Sequence, residues 1–393
     1  MKTIIELYDE EPIFNILAAV AFRPETLVFI GGKLMHKERK DRIIRCLEER
    51  GLPIQIHFYT ADANRIPSML ATMERVVDKF PECVVDITGG SSTMLYAAGV
   101  FCSSRNIPVM VYEKTRGRFL SLQHCPEAEN TPYSLHFSAE DFLIMAGGSF
   151  PRCGHVGAKN ITPEMEQYIK DVWKIYVEHY DNWTKHVQYL QAVSGGDESK
   201  DLSVRAPMEI RMADGKHRYC NKEIFLALRK CGVIEDLLFR GKRVSFRYRS
   251  RLLRSCLCDI GIWLELYLYV TAKDSGYFDD VQVSVVIDWD GETEQRSGTI
   301  NELDILLTKG PTPVFISCKT GVPNTQALNE LDVLRERYGG YWAKGVLATM
   351  SRLSHVNPSV YRRAADMGIY VLQQEDITQE GLAEKLLRIA QSR

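Results

Sequence analysis

The chain has 393 residues, 45% of them hydrophobic and 25% charged, the balance of a globular protein long enough for two or three domains. A formal net charge of −2 excludes whole-chain basicity as a sign of nucleic-acid binding, so any basic surface must be local. The opening MKTIIELYDEEPIF has acids where a secretory leader needs a positive end, and no run approaches ~18 apolar residues, so a cytoplasmic protein without a membrane span and with reduced thiols is expected.

Residues 1–150 alternate short apolar runs with helical patterns. TIIELY, TLVFIGG, PIQIHFYT, CVVDITGG and IPVMVYEK read as strands. Between them lie a helix over Pro12–Phe22 and the helical patterns HKERKDRIIRCLEERG, IPSMLATMERVVDKF and SSTMLYAAGVFCSSRN. Alternation of this kind, with strands rich in Val and Ile, predicts a parallel sheet covered by helices on both faces. Residues 151–250 read as a connector: a long aromatic-rich helical stretch over 160–195, the polar linker SGGDESKD, short helices in NKEIFLALRKCGVIEDL, and a strand or hairpin in FRGKRVSFRY. That order suits either a winged-helix-like module or a plain connecting domain.

From residue 251 to 393 the pattern is again α/β. LLRSCLCDIGIWLELYLYVTA reads as one apolar helix, followed by a meander of VQVSVVIDWDG, INELDILLTKG and TPVFISCK. The helix TQALNELDVLRERYGG, the strand AKGVLAT, a helix near 358–367 and the strand IYVLQQ complete the domain. Cys220, Cys231, Cys256 and Cys258 lack paired C-x-x-C knuckles, which speaks against zinc. The segment RGKRVSFRYRSRLLR at 240–254 is the local basic stretch, read either as a DNA-binding surface or as a solvated face.

Two stretches carry chemistry. DITGGSST places glycines and hydroxyls where a strand turns into a helix, at the sheet end where an open parallel sheet binds its ligands. Thr88, Gly89, Gly90, Ser91, Ser92 and Thr93, with Gly31, Gly32 and Lys33 from another strand end, are the candidate ligand-binding residues. The plain alternative is a Gly-Gly turn with a hydroxyl cap, and neither a Walker A loop nor G-x-G-x-x-G is present. The second stretch is NELDILLTKGPTPVFISCKTG. Residues two apart on a strand share a face, so Glu302 pairs with Asp304, and Ser317 with Lys319. A turn at Gly310 brings Asp304 within reach of Lys319. Glu265, the acid amid Trp263, Leu264, Leu266 and Tyr267, is a third candidate, since a carboxylate in apolar surroundings needs a partner. Carboxylates that hold a divalent cation beside a lysine are what phosphodiester hydrolysis requires; a cross-strand ion pair and a solvated glutamate are the plain alternatives.

WLEL, NELDILL and FISCKTG, in that order and followed by LNELDVLRERYGG, resemble the PD-(D/E)xK, restriction-endonuclease-like fold. Joined to the DITGGSST domain they resemble the CARF-domain nucleases of type III CRISPR systems, the Card and Can effectors, over essentially the whole chain. The resemblance implies an α/β protein with a Rossmann-like CARF domain over 1–150, the connector over 151–250 and the nuclease domain over 251–393. It implies a homodimer that binds cyclic oligoadenylate, usually the tetra-adenylate, across its two-fold axis, and then nicks or cuts DNA, and in some members RNA, with Mn2+ or Mg2+. Glu265 and Asp304 would be metal-side carboxylates, Cys318 would offer its backbone carbonyl, and Lys319 would be the motif lysine. Ser317 departs from the motif, which has Asp or Glu there. Serine is a weak ligand for a hard cation, so either Ser317 acts through water, Glu302 or another acid takes over, or Glu265 and Asp304 suffice. The rival readings are a DNA-binding sensor with a disarmed site and a nuclease that needs no activator.

Overall fold

A computed structural model describes residues 1–33, 35–130, 135–153, 156–195, 201–288 and 300–392. In the first domain β1 (Thr3–Leu7), β2 (Thr26–Gly31), β3 (Gln55–Thr60), β4 (Cys83–Asp86) and β5 (Val109–Glu113) run parallel in the order β3-β2-β1-β4-β5. Every residue of β1 is buried, as a strand covered on both faces requires. Ile4, Leu27 and Phe29 face one core with Ile43 and Leu47; Ile5, Val28 and Ile30 face the other with Met69, Met73 and Ala97. A sixth strand not read from the sequence, β6 (Arg118–Gln123), folds back antiparallel on β5 through a turn in which Gly117 takes φ +62°. The strand order reverses between β1 and β4, which opens a crevice at their C-terminal ends.

The Ala139–Ala146 helix wedges between two cores, with Phe142 and Met145 in the first domain and Leu143 against the C-terminal sheet. Immediately after it, β7 (Ser149–Cys153) pairs with a strand of that second sheet, so the chain crosses into the C-terminal half before residue 151. Helices Pro163–Glu178 and Tyr180–Val193 follow. Then come β8 (Ser203–Pro207), the hairpin of β9 (Glu209–Arg211) and β10 (His217–Tyr219), a helix Lys222–Lys230, and the hairpin of β11 (Ile234–Arg240) and β12 (Arg243–Tyr248). β11, β12 and β8 form a three-stranded antiparallel sheet, the helices-then-hairpin arrangement anticipated for the connector. Its inner residues Val204, Val244, Phe246 and Tyr248 share one core with Trp183, Phe225 and Trp263, so connector and C-terminal domain are packed as one.

The C-terminal sheet has the order β17-β16-β15-β14-β13-β7. β13 (Asp280–Asp288), β14 (Ile300–Lys309) and β15 (Thr312–Lys319) make the expected antiparallel meander, and β16 (Lys344–Thr349) and β17 (Ile369–Leu372) run parallel to β15. The end of VQVSVVIDWDG, residues 289–291, lies outside the described residues. The apolar helix expected over 252–272 is instead two helices, Arg251–Leu257 and Ile262–Asp274, bent by 114°. Asp259 causes the break: its Oδ1 accepts hydrogen bonds from the N–H groups of Gly261 (2.7 Å) and Ile262 (3.0 Å), starting a new helix there. Among the described residues no single helix is long and apolar enough to cross a membrane.

The two halves meet after the Thr325–Gly339 helix. Trp342 is only 9% exposed and lies in the first domain's core, its ring 4.5 Å from Phe14 and 5.7 Å from Tyr112. Beside it the Tyr341 N–H donates to Glu11 Oε2 at 2.7 Å. Burial of an indole on this scale predicts that Trp342→Ala costs about 3 kcal/mol of stability, read as a lower urea midpoint; an unchanged midpoint would mean that the halves dock without this ring.

Candidate active site

The tight connection between β14 and β15, with Gly310 at φ +53°, sets a register in which Leu306 opposes Phe315 and Lys309 opposes Thr312. Continued along the strands, that register brings Asp304 to Ser317. The Ser317 hydroxyl donates to Asp304 Oδ2 at 3.4 Å, the Cys318 N–H donates to the same oxygen at 2.5 Å, and Lys319 Nζ stands 3.7 Å from it. The meeting of acid and lysine expected from the strand spacing is therefore formed. What replaces the motif acid is a hydroxyl that donates to Asp304, so position 317 adds a hydrogen bond where a carboxylate would have added charge.

Glu265 sits in the first turn of the Ile262–Asp274 helix, whose neighbouring positions Trp263, Leu264, Leu266 and Leu268 are all buried. Its carboxyl is pushed up to about 8, first by burial and then by the negative charges of Asp304, Asp259 and Glu302, against which Lys319 pulls. Asp259 was not singled out in the sequence. Its signal was the D-x-G of CDIGI, which marks a helix start and not a site. The acids thus gather around Glu265 with one lysine for balance.

Carboxylate oxygens are the hard donors that a divalent cation prefers. Among the described residues no three His, Cys, Asp or Glu side chains stand together as a metal-holding group. Asp304 Oδ1 accepts no hydrogen bond there, whereas Oδ2 is engaged. One or two carboxylates completed by water and phosphate oxygens are a familiar Mg2+-type donor set. Glu265 and Asp304 fit it; an all-protein cage they are not.

The titration of Glu265 has a sign. The unfolded chain ionises it near the ordinary 4.5 and the folded one near 8, so the folded state holds the extra proton between them and loses stability as pH rises through that window. In metal-free protein, Glu265→Gln should raise the melting temperature by several degrees at pH 8 and leave it unchanged near pH 4.5. An equal shift at both would remove the charge explanation.

The second region is the crevice at the β1/β4 reversal, about 1120 Å³ in volume. Gly32, Lys33, Gly90 and Ser91 line it, as anticipated. Thr88 turns inward, its hydroxyl donating to Asp86 Oδ1 (2.5 Å) and accepting from the Tyr112 N–H (2.8 Å). Gly31 and Gly89 do not line the crevice but allow close packing, against Tyr8 and Asp9, and Ser92 and Thr93 belong to the Ser92–Arg105 helix, away from the lining. Ser91 caps that helix, accepting from the Met94 N–H at 3.4 Å. The sequence reading missed Tyr8, Asp9, Thr60, Asn64 and Arg75, which complete the wall. Asp9 Oδ2 accepts from the Gly90 N–H at 2.6 Å and so holds the glycine loop in position. Beneath lie Glu6 and Asp86, paired in register and 1% and 0% exposed. Burial, then Asp86, keeps Glu6 protonated well above the carboxylate range, and burial raises Asp86 to about 6.

Residues 248–388 match the family of Card1-like endonuclease domains. No curated protein matches the sequence. The whole chain shares its fold with protein VC1899 from Vibrio cholerae, at TM-score 0.77 and 17% identity over 98% of this chain and 97% of that one. It does so too with Can2 from Sulfobacillus thermosulfidooxidans, solved in complex with cyclic tetra-adenylate, at TM-score 0.70 and 16% identity over 99% of each chain. A type III CRISPR defence DNA nuclease activated by cyclic oligoadenylate aligns at TM-score 0.50 and 13% identity, over 98% of this chain and 51% of that one. Residues 248–388 are therefore similar to Card1-like endonuclease domains, and the chain as a whole shares its fold with VC1899 and Can2.

Proposed function

We propose that the protein is a divalent-metal-dependent nuclease activated by cyclic oligoadenylate, most simply the tetra-adenylate, and that it acts in type III CRISPR defence by nicking or cutting DNA and single-stranded RNA. The observation that carries this reading is the Glu265–Asp304–Lys319 constellation inside a Card1-like endonuclease domain. Glu265, Asp304 and the Cys318 carbonyl would hold Mn2+ or Mg2+, which supplies charge neutralisation at the scissile phosphate and activation of water. Lys319 offers its ammonium to the same phosphate, and Ser317 keeps Asp304 Oδ2 oriented by donating to it. With one charged ligand fewer than the motif, the site should favour Mn2+.

The activator would occupy the β1/β4 crevice. Lys33 and Arg75 are its cations for phosphates, while Thr60, Asn64 and Ser68 offer polar contacts to ribose and base. A homodimer agrees with the Ser92–Arg105 helix, which starts at the crevice and leaves Tyr96 63% and Val100 45% exposed further along. The signal to the nuclease domain would pass through the loop after β1, where Asp9 holds Gly90 and Glu11 holds Tyr341.

The test is cleavage of supercoiled plasmid and single-stranded RNA with Mn2+, with and without cyclic tetra-adenylate. Cutting should need the ligand, Lys319→Ala should lower it by about 10²-fold or more, and Glu11→Ala should bind ligand yet respond weakly to it. Ligand binding with no cutting under any metal would instead support a sensor disarmed at Ser317. In the same assay Ser317→Asp should tighten metal binding about tenfold, as added ligand charge does, and extend activity to Mg2+; weaker metal binding would show that the hydroxyl's hold on Asp304 matters more.

A further inference from the structure

The basic stretch at 240–254 does not form one surface. Arg254 is buried, donating to the carbonyls of Ser194 (2.8 Å) and Gly195 (3.0 Å), and Arg249 pairs with Glu235 (3.0 Å) and Glu164 (3.2 Å). What remains outward lies on the solvent face of the β11-β12-β8 sheet. β12 buries Val244, Phe246 and Tyr248 and exposes Arg243 and Arg247. β8, which lies more than thirty residues earlier in the chain, exposes Arg205. Across the ladder Arg243 stands between Pro207 and Arg240, Ser245 between Arg205 and Leu238, and Arg247 between Ser203 and Glu235.

This packing is costly by itself. Arg240 and Arg243 oppose each other directly, and like charges in that relation destabilise a sheet. Among the described residues Arg205, Arg240, Arg243 and Arg247 form no ion pair with an acid, and Glu235, which opposes Arg247 on β11, is taken by Arg249. An uncompensated arginine face fits an anionic partner with regularly spaced charges. Its exposed apolar side chain is Leu238, 44% exposed, and no aromatic ring lies on it to stack a base. Arg243 and Arg247, four residues apart on one strand, are separated by about 14 Å, on the scale of a duplex groove.

We infer that this face binds the phosphate backbone of duplex DNA, independently of sequence, as a docking surface outside the cleavage site. The inference rests on the proposed nuclease reading only in taking that duplex to be the substrate. The sheet shares its core with the Glu265 helix, so a duplex held there is held by the same rigid body that carries the acids.

The experiment is fluorescence anisotropy with a 30-base-pair DNA duplex in EDTA, at several salt concentrations, on the full chain. The variant Arg205→Ala/Arg243→Ala/Arg247→Ala should bind at least tenfold more weakly, and its log Kd should depend on log salt with a slope smaller by about 3, near one for each phosphate no longer neutralised. Replacing the same three by lysine should keep most of the slope. Parent and alanine variant with equal affinity and slope would overturn the inference, as would a loss confined to single strands. Loss of duplex binding in the alanine variant of a protein that cuts nothing would uphold this face while sinking the nuclease reading.

Discussion

The loop that leaves β1 is where the two halves of the molecule depend on each other. Buried Asn15 clamps it: its carbonyl accepts from the Asp9 N–H (2.9 Å), and its amide donates to the carbonyls of Asp9 (2.9 Å), Glu11 (3.3 Å) and Pro12 (3.3 Å). Thus fixed, the loop extends one carboxylate in each direction, Asp9 to Gly90 in the crevice and Glu11 to Tyr341 in the C-terminal domain. Gly90 is needed there, because at φ +102° a Cβ would come within 2.8 Å of Leu7 Cβ. A ligand that moves the glycine loop therefore pulls on a chain of hydrogen bonds that ends beside Trp342. The proposed activation needs such a connection, with two arrangements that ligand can choose between.

Both candidate regions also confine negative charge in apolar surroundings, with opposite outcomes. Under the crevice Glu6 and Asp86 lie side by side, paired with no cation among the described residues, and burial, then Asp86, raises the Glu6 carboxyl well above its ordinary value. Asp86 then uses its Oδ1 to hold Thr88 through the N–H (2.8 Å) and the hydroxyl (2.5 Å). This makes it a structural anchor of the loop. Around Glu265 the acids are only partly buried and Lys319 is beside them, so the conflict can be relieved by a bound cation as well as by a proton. Ser317 belongs to this balance: a further carboxylate at that position would crowd the metal-free site, whereas a hydroxyl stabilises Asp304.

Much of this was legible along the chain. Runs such as TLVFI and CVVD announced buried parallel strands, and the two-residue period of NELDILL and FISCK, with a glycine between, brought Asp304 to Lys319, because strand faces and hairpin turns are local properties. Glu265 stood out because a charge among apolar neighbours is costly wherever the helix ends up. The break at Asp259 was harder, since its apolar flanks read as one continuous helix and only the cap decided otherwise.

Contacts between distant segments were settled by tertiary structure. That Tyr8, Asp9 and Arg75 share a crevice with Gly90 depends on β1 lying beside β4, and strand order is not written in the period of any one strand. The same holds for Trp342 in the first domain's core and for Arg205 beside Ser245. The sequence by itself determined which residues are apolar, charged or able to turn, and hence the elements and the chemistry available to each. Tertiary structure decided which of those chemistries meet, because register and packing select partners by distance in space, with no regard for separation along the chain.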